Sequence, residues 1–526
     1  MEDKSLNNNF EHSLKFLVKT SFIVFIGVFL SKILGYVYRI IIARYYGPEA
    51  YGLFSLAIMI LGWVIAICSF GLVDGLYRFV PQYRGKKEYR YVSYLFRFTN
   101  RILLVSSIVS AILLFFLSDF ISINFFHNIE LSLFLKILSF FIPTTVLSGS
   151  YLLTIKGYEF INNYSFIYNI LQNIVKVLVL ILLVLIGFKS SSTIISFCIG
   201  LLAVFIASYY FCKYKIPELF IKYSISRNEK KKIRSSFLSY SIPLLFFGII
   251  SMIFYWTDSF FLGYFKGAEA VGFYNVAVPI ALLLAIMPEL FMQLFFPMIN
   301  RHYSTKNFGL IKKLSKQLGK WIFLANFPLF ILILIFPCAA INILFGSQYL
   351  VAETALRILV FSSFIASLFI ISNNLLSMAG KSKLILIDIV LASIINIILN
   401  TLLIPMPTIL GFENSVGIMG AAIATSISVI FLNMLFFIQA KIYLDIIPLK
   451  KKMINIFMIG TISAAGLFFL RNKFPSQNLF LILFLIVLFL IVYLILIIIF
   501  RALDKNDIDI IKSAYYYVGK IKRKVM

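Results

Sequence analysis

The sequence predicts an all-α polytopic membrane protein with fourteen transmembrane helices. Two parallel six-helix lobes stand in a pseudo-two-fold arrangement, followed by two C-terminal helices. Three observations carry this reading. Apolar residues make up 61% of the 526-residue chain and charged residues only 13%, against about 45–50% and about 25% in soluble domains. The basic residues fall on alternate inter-span segments. A glycine-rich segment recurs about 220 residues downstream.

A membrane-crossing helix needs about 20 mostly apolar residues. On that criterion the spans are 16–44, 50–80, 98–118, 130–155, 164–187, 192–212, 237–263, 270–299, 321–345, 352–379, 384–405, 416–440, 454–470 and 477–500. The first thirteen residues are polar. The apolar run after them carries Lys32 and Arg39 and has no small-residue cleavage site, so it reads as a retained span rather than a signal peptide.

Charge fixes the orientation. With the N-terminus in the cytoplasm, inner segments hold 36 of the 48 Lys and Arg and outer segments hold 5, namely Arg44, Lys189, Lys266, Arg471 and Lys473. Cytoplasmic loops carry such an excess because they lie against anionic lipid. Removing or adding one span would reverse the bias from that point on, so both termini are expected inside. The formal net charge of +27 therefore points to membrane lipid, anionic on the cytoplasmic side, rather than to nucleic acid. The inner segments 213–236 and 300–320 read as solvated basic loops, and no outer loop exceeds about a dozen residues on this map. That leaves no room for an extracellular catalytic domain, which argues against a membrane-bound polymerase or ligase. The four Cys show no CxxC spacing and the three His are far apart, so neither a disulfide framework nor a zinc site is implied.

Residues 43–60, ARYYGPEAYGLFSLAIMI, align without a gap to 263–280, GYFKGAEAVGFYNVAVPI. Six of eighteen positions match, among them Gly47/Gly267 and Gly52/Gly272. Ser31/Ser251 share the offset of 220, Pro81/Pro297 pair at 216, and Gly157/Gly380 and Asn173/Asn396 at 223. Six spans separate the copies, so both point the same way, as in transporters built from parallel repeats. The expected divisions are 1–220, 221–445, and 446–526 with two accessory helices and a basic tail.

Ionisable groups within spans are costly, about 2.5–3.5 kcal/mol each at a helix centre, and normally face a cavity or a partner. The chain carries Lys32, Arg39, Asp74, Arg78, Lys136, Lys176, Asp258, Glu289, Arg357 and Asp388 in such places. Span 1 has Gly27, Ser31, Gly35 and Arg39 on one face. Span 5 has Ser165, Asn169, Gln172, Asn173 and Lys176. Span 7 has Ser251, Tyr255 and Asp258, and span 11 has Asp388, Ala392, Asn396 and Asn400. The simplest arrangement places these stripes around one aqueous cavity. Lys32, Arg39, Lys136 and Lys176, with Arg357, would then form a cationic lining suited to a phosphate or diphosphate. The alternative is that they pair with acids, for example Arg39 with Asp258. Asp74 and Arg78, four apart, read as a structural pair or gate near the inner face. Glu289 beside Pro288 reads as a helix break or gate.

Several ordered segments resemble the polysaccharide-transport branch of the multidrug/oligosaccharidyl-lipid/polysaccharide (MOP) superfamily. They are RIIIARYYGPEAYGLFSLA at 39–57, GLVDGLYRFVPQY at 71–83, YWTDSFFLGYFKGAEAVGFYNVA at 255–277, AGKSKL at 379–384 and VGIMGAAIATSIS at 416–428. The resemblance covers about residues 14–445. It implies a non-enzymatic flippase of the Wzx type, moving a polyprenyl-diphosphate-linked oligosaccharide across the cytoplasmic membrane by alternating access, functional as a monomer. The fourteen-helix layout is similar to that of lipid II flippases, whose last two helices border a lipid-tail groove. No cofactor is implied beyond coupling to Na+ or H+. In lipid II flippases, spans 7, 11 and 12 form a sodium site, and the matching positions are Asp258, Asn396, Asn400 and Thr425. The departure is Asn400, where the pattern favours an acid, so that one carboxylate is left. A lipid II-type peptidoglycan-precursor flippase and a drug/cation antiporter of the same superfamily are the alternatives. The basic first lobe argues against the antiporter.

Overall fold

The computed structural model describes residues 2–305, 307–414, 416–473, 479–500 and 502, with side chains from Gly27 onward except at 293, 294, 296–298, 300, 301, 304, 472 and 479. Among them, thirteen helical runs are long and apolar enough to cross a membrane. The first of these, Gly27–Cys68, lies within α1 (Glu2–Cys68), which is broken at Gly47 (φ 85, ψ −178). The run therefore holds two helical segments, and the expected span 50–80 is divided between the second of them and α2 (Leu72–Gly85) by a turn at 69–71.

The next helices are α2 (Leu72–Gly85), α3 (Tyr89–Asn124) and α4 (Glu130–Gly157). A π-helical stretch, Phe166–Leu171, joins α5 (Ile161–Ser165) to α6 (Gln172–Leu185). Then come α7 (Ser192–Lys215), α8 (Arg227–Lys266), α9 (Ala268–Ser304), α10 (Phe308–Ile335), α11 (Pro337–Leu344) and α12 (Glu353–Met378). The series ends with α13 (Ser382–Leu403), α14 (Ile418–Leu444), α15 (Lys452–Lys473) and α16 (Leu479–Ile499).

The basic inner segments are more helical than the sequence reading allowed. α8 starts at Arg227, where Ser226 and Glu229 form a capping box, and α10 starts at Phe308, capped by Asn307. Hydropathy reports only the apolar part of a helix, whereas hydrogen bonding and capping carry it past the bilayer surface. A two-strand hairpin, Thr408–Ile409 with Phe412–Glu413, also went unread. Its turn residues Leu410 (φ 51) and Gly411 (φ 82) both have positive φ, as a type I′ turn requires.

The chain divides into two compact units. One comprises Met1–Ala281, Ile341–Leu359 and Lys383–Leu432; the other comprises Leu282–Ala340, Val360–Ser382 and Asn433–Met526.

Within the first unit the two glycine-rich copies pack on each other. Gly267 has φ 86 and ψ 180, the same conformation as Gly47. That region of backbone space is essentially open to glycine alone. A Cβ on Gly52 would collide with the Ala268 carbonyl, and a Cβ on Gly272 with the Pro48 carbonyl. Pro48 and Ala268 are themselves equivalent at offset 220. The contact is reciprocal, so a local two-fold axis passes between the copies.

In the second unit Phe323, Phe327, Phe330 and Phe364 stack at 4.5–5.7 Å. Phe457 of α15 joins them through Phe327, and Gly460 leaves room for that ring. α16 is apolar on every side, yet it buries one stripe, Ile482, Leu485, Phe489 and Tyr493, and Tyr493 donates to the Leu324 carbonyl at 3.1 Å. A helix apolar on every side gives no sequence sign of which face docks. Just past α14, Lys312 bonds Asp445 at 2.7 Å and holds its carboxyl below the usual carboxylate range.

Candidate functional site

The small-residue face of α1 lies against the polar face of α5 and α6. Asn173 donates to Ser31 Oγ at 3.0 Å, Asn169 donates to Ser165 Oγ at 3.1 Å, and Gly27 leaves space for Ser165 Oγ. These two stripes were expected to line a cavity. Over this stretch they are instead spent on one another, because amides and hydroxyls in apolar surroundings satisfy each other across close helices. The π-helical turn lies in this contact and shifts the register of the polar face, a common feature of functional helices.

One to two turns further along, two cations remain. Arg39 is hydrogen-bonded to the Tyr51 hydroxyl, with the Tyr36 and Tyr255 hydroxyls close enough to act on it electrostatically. Tyr51 and Tyr36 are held in place by the carbonyls of Asn275 and Pro279. Lys176 Nζ lies 4.9 Å from the centre of the Tyr38 ring. Tyr38 is fixed by the Thr193 carbonyl and by Ser196 Oγ at 3.0 Å. Arg39 and Lys176 act on each other electrostatically, and neither forms an ion pair with a described acid. Two neighbouring cations amid neutral phenols are not neutralised internally, which makes the place receptive to an anion.

A buried carboxylate forms the second feature. Asp258 of α8 accepts from Tyr274 at 2.7 Å, from Asn400 at 2.9 Å, from Asn396 at 3.3 Å and from Thr425. The four positions matched to a sodium site are thus brought together, with Asp388 and Ala392 buried on the same face of α13. Tyr274 was not foreseen, and its counterpart in the first repeat copy, Phe54, gives no polar signal. Arg39 is not the partner of Asp258. The carbonyl oxygens Asn396 Oδ1 and Asn400 Oδ1 are buried and accept no hydrogen bond. Turning either amide over would present its oxygen on the Asp258 side, giving an all-oxygen donor set that suits a hard cation. The residues therefore fit a sodium ion. Among the described residues no group of three or more His, Cys, Asp or Glu comes together.

The other candidates lie elsewhere. Lys136 does not join Arg39 and Lys176: it bonds both oxygens of Asp119 at 2.8–2.9 Å, an acid near the end of α3 that the sequence reading passed over. Arg357 pairs with Glu353 one turn away at 2.6 Å. Lys32 is exposed on α1. Asp74 and Arg78 do not pair. Arg78 lies 4.1 Å above the Tyr240 ring, because an aromatic face on α8 is within reach and Asp74 stays exposed to solvent or lipid. The backbone is not broken at Glu289, since α9 runs helical through Pro288.

The family model described as polysaccharide biosynthesis protein matches residues 17–303, more than half of the chain. The chain belongs to the polysaccharide biosynthesis protein family. The MatE model also matches, over residues 243–402. An uncharacterized membrane protein of Methanocaldococcus jannaschii is 24% identical over 85% of this chain and 88% of its own. A putative O-antigen transporter of Shigella flexneri is 25% identical over 74% and 89%. A probable low-salt glycan biosynthesis flippase of Haloferax volcanii is 26% identical over 40% and 42%. Among solved structures, the lipid II flippase MurJ in an inward closed conformation superposes with a TM-score of 0.68 at 19% identity, covering 90% of this chain and 98% of its own. An inward-facing multidrug resistance MATE family transporter gives 0.65 at 14% identity, over 79% and 94%. This family member is thus a multi-pass membrane protein by the length and composition of its helices, and it shares the fold of the MurJ and MATE structures.

Proposed function

We propose that the protein flips a polyprenyl-diphosphate-linked oligosaccharide across the cytoplasmic membrane, both termini facing the cytoplasm. The observation that carries this reading is the Arg39–Lys176 pair, two adjacent cations with hydroxyl neighbours and no described acid. A diphosphate entering there meets charge-assisted donors already in place, and Arg39 can grip two phosphate oxygens at once. The likeness to the putative O-antigen transporter of Shigella and the probable glycan biosynthesis flippase of Haloferax supports the cargo class. Alternating access would rock two lobes, about 1–220 and 221–445, around this point.

Asp258 is the coupling residue in this reading. Asp258, Thr425 and the carbonyls of Asn396 and Asn400 would hold a sodium ion, which supplies the charge that lets α8, α13 and α14 close on a buried carboxylate. Protonation of Asp258 is the other way to remove that charge. The MatE match spans Asp258 and favours a drug/cation antiporter as the second reading. The lipid II-type flippase is the third, supported by the fold likeness.

The test is complementation of a strain lacking its own glycan flippase. Arg39→Gln and Lys176→Gln should reach normal membrane levels and lose export at least tenfold. Full export by both would overturn the proposal. Export of a cationic dye by the wild-type protein, abolished by Asp258→Asn, would favour the antiporter.

A further inference from the structure

A groove runs along the last turns of α1, from Ile60 to Cys68, and along α3 from Phe98 to Ile121, on a face that the transport site does not use. One part, of about 630 Å³, lies between Ile67, Phe70, Phe98 and Val105. The other, of about 420 Å³, lies between Trp63, Leu113, Leu117 and Phe260. Ile67 and Ser110 line both, so the two parts adjoin end to end along α3. The lining residues of α3 recur every three or four positions from Phe98 to Ile121. At 1.5 Å per residue that stripe is about 35 Å long, against about 30 Å for a bilayer's hydrocarbon core.

The two ends differ. At one, Arg101 lines the groove and is exposed, and Arg97 lies one helical turn away, held by the Ser93 carbonyl. Neither forms an ion pair with a described acid. The other end is stopped by Phe126 and Phe260, packed edge to face at 5.8 Å. Between them the walls are almost wholly apolar. A phospholipid tail reaches only to the midplane, about half of that 30 Å, and would leave the far part to a second molecule. A channel that continues past the midplane and starts at paired arginines matches a longer single chain with an anionic head.

We propose that this groove is a peripheral docking site for a long-chain isoprenoid phosphate, with the phosphate at Arg97 and Arg101 and the tail along α3 as far as Phe126. It is separate from the Arg39–Lys176 pair, and it rests on the reading that the cargo rides on an isoprenoid carrier.

The experiment uses the full chain in phosphatidylcholine nanodiscs with a long-chain isoprenyl monophosphate bearing a diazirine in its tail. Photolysis should label α3 around 105–117. Unlabelled isoprenyl phosphate should compete at least tenfold better than phosphatidic acid. Arg97→Gln/Arg101→Gln, two solvent-side changes checked for an unchanged melting temperature, should lower labelling at least fivefold. Leu113→Trp, which fills the channel, should lower it as well. Equal competition by phosphatidic acid, or equal labelling of α16, would identify ordinary surrounding lipid and overturn the proposal. The two readings fail separately. Full export by Arg39→Gln and Lys176→Gln sinks the transport site without touching this labelling, and non-selective labelling sinks the groove with export intact.

Discussion

Gly52 and Gly272 face each other across the repeat: a Cβ on Gly52 would lie 3.0 Å from the Gly272 backbone nitrogen and would strike the Ala268 carbonyl. Gly272 stands in the same relation to Pro48. Two helix starts, each placed by a glycine with φ near 85, thus close on one another with no side chain between them. This contact fixes how Arg39 of α1 and Asp258 of α8 are presented, since each lies on the helix that leads into it.

Filling that contact should be destabilising. Gly52→Ala and Gly272→Ala should each cost about 1–3 kcal/mol by overpacking, seen as a lower melting temperature of the detergent-solubilised protein. Gly248→Ala, in the middle of α8 with open space around it, should be neutral or stabilising by about 0.5–1 kcal/mol. Similar melting of all three variants would contradict the close packing.

Sodium should stabilise the wild-type protein through Asp258. At a concentration of 100 Kd the gain is about 2.7 kcal/mol. Asp258→Asn should abolish the sodium-dependent rise in melting temperature, and Asn400→Asp, which adds a second carboxylate, should enlarge it. If potassium gives the same rise, the site is not selective for sodium. If neither ion acts and export falls as pH rises, proton coupling is the better account.

Cations already paired should be dispensable for transport. Lys136→Gln leaves Asp119 exposed to solvent, and Arg357→Gln leaves Glu353 half-buried. Both variants should export within twofold of wild type, unlike Arg39→Gln. A loss in Lys136→Gln equal to that in Arg39→Gln would return Lys136 to the substrate site.

Tyr38 separates support from binding. Tyr38→Phe loses the bonds to Thr193 and Ser196 but keeps the ring under Lys176. It should cost about 1–2 kcal/mol of stability with export retained. Tyr38→Leu also removes the ring and should impair export at matched protein level.

Orientation can be read by labelling single cysteines in a background with Cys68, Cys198, Cys212 and Cys338 replaced. Asn124→Cys and Glu413→Cys should react with an impermeant maleimide from outside intact cells. Asn228→Cys should react only after lysis. The opposite pattern would reverse the topology.

Much of the architecture was legible because it rests on one-dimensional signals. Apolar run length and the alternation of Lys and Arg locate helices regardless of how they pack. The pairing of Gly47 with Gly267 was visible as repeated sequence, and the identical backbone conformation at both follows from the glycine each needs. Asp388, Asn396 and Asn400 were placed on one face by spacing alone, and that face is buried.

The partners of those residues were decided only in three dimensions. Spacing states which face a side chain shares, not what lies opposite. Asn173 was therefore grouped with a cavity when it bonds Ser31, and Lys136 with a cation cluster when Asp119 of the neighbouring helix takes it. Asp74 and Arg78 sit one turn apart, yet a tyrosine 162 residues on from Arg78 holds the arginine. By itself the sequence placed the membrane-crossing helices and the recurring glycine segments along the chain, because the bilayer imposes length and apolarity on each segment separately. The tertiary structure decided which polar groups satisfy each other and left Arg39 and Lys176 as cations with no acid partner among the described residues, because pairing depends on the neighbouring helix and local periodicity carries no record of it.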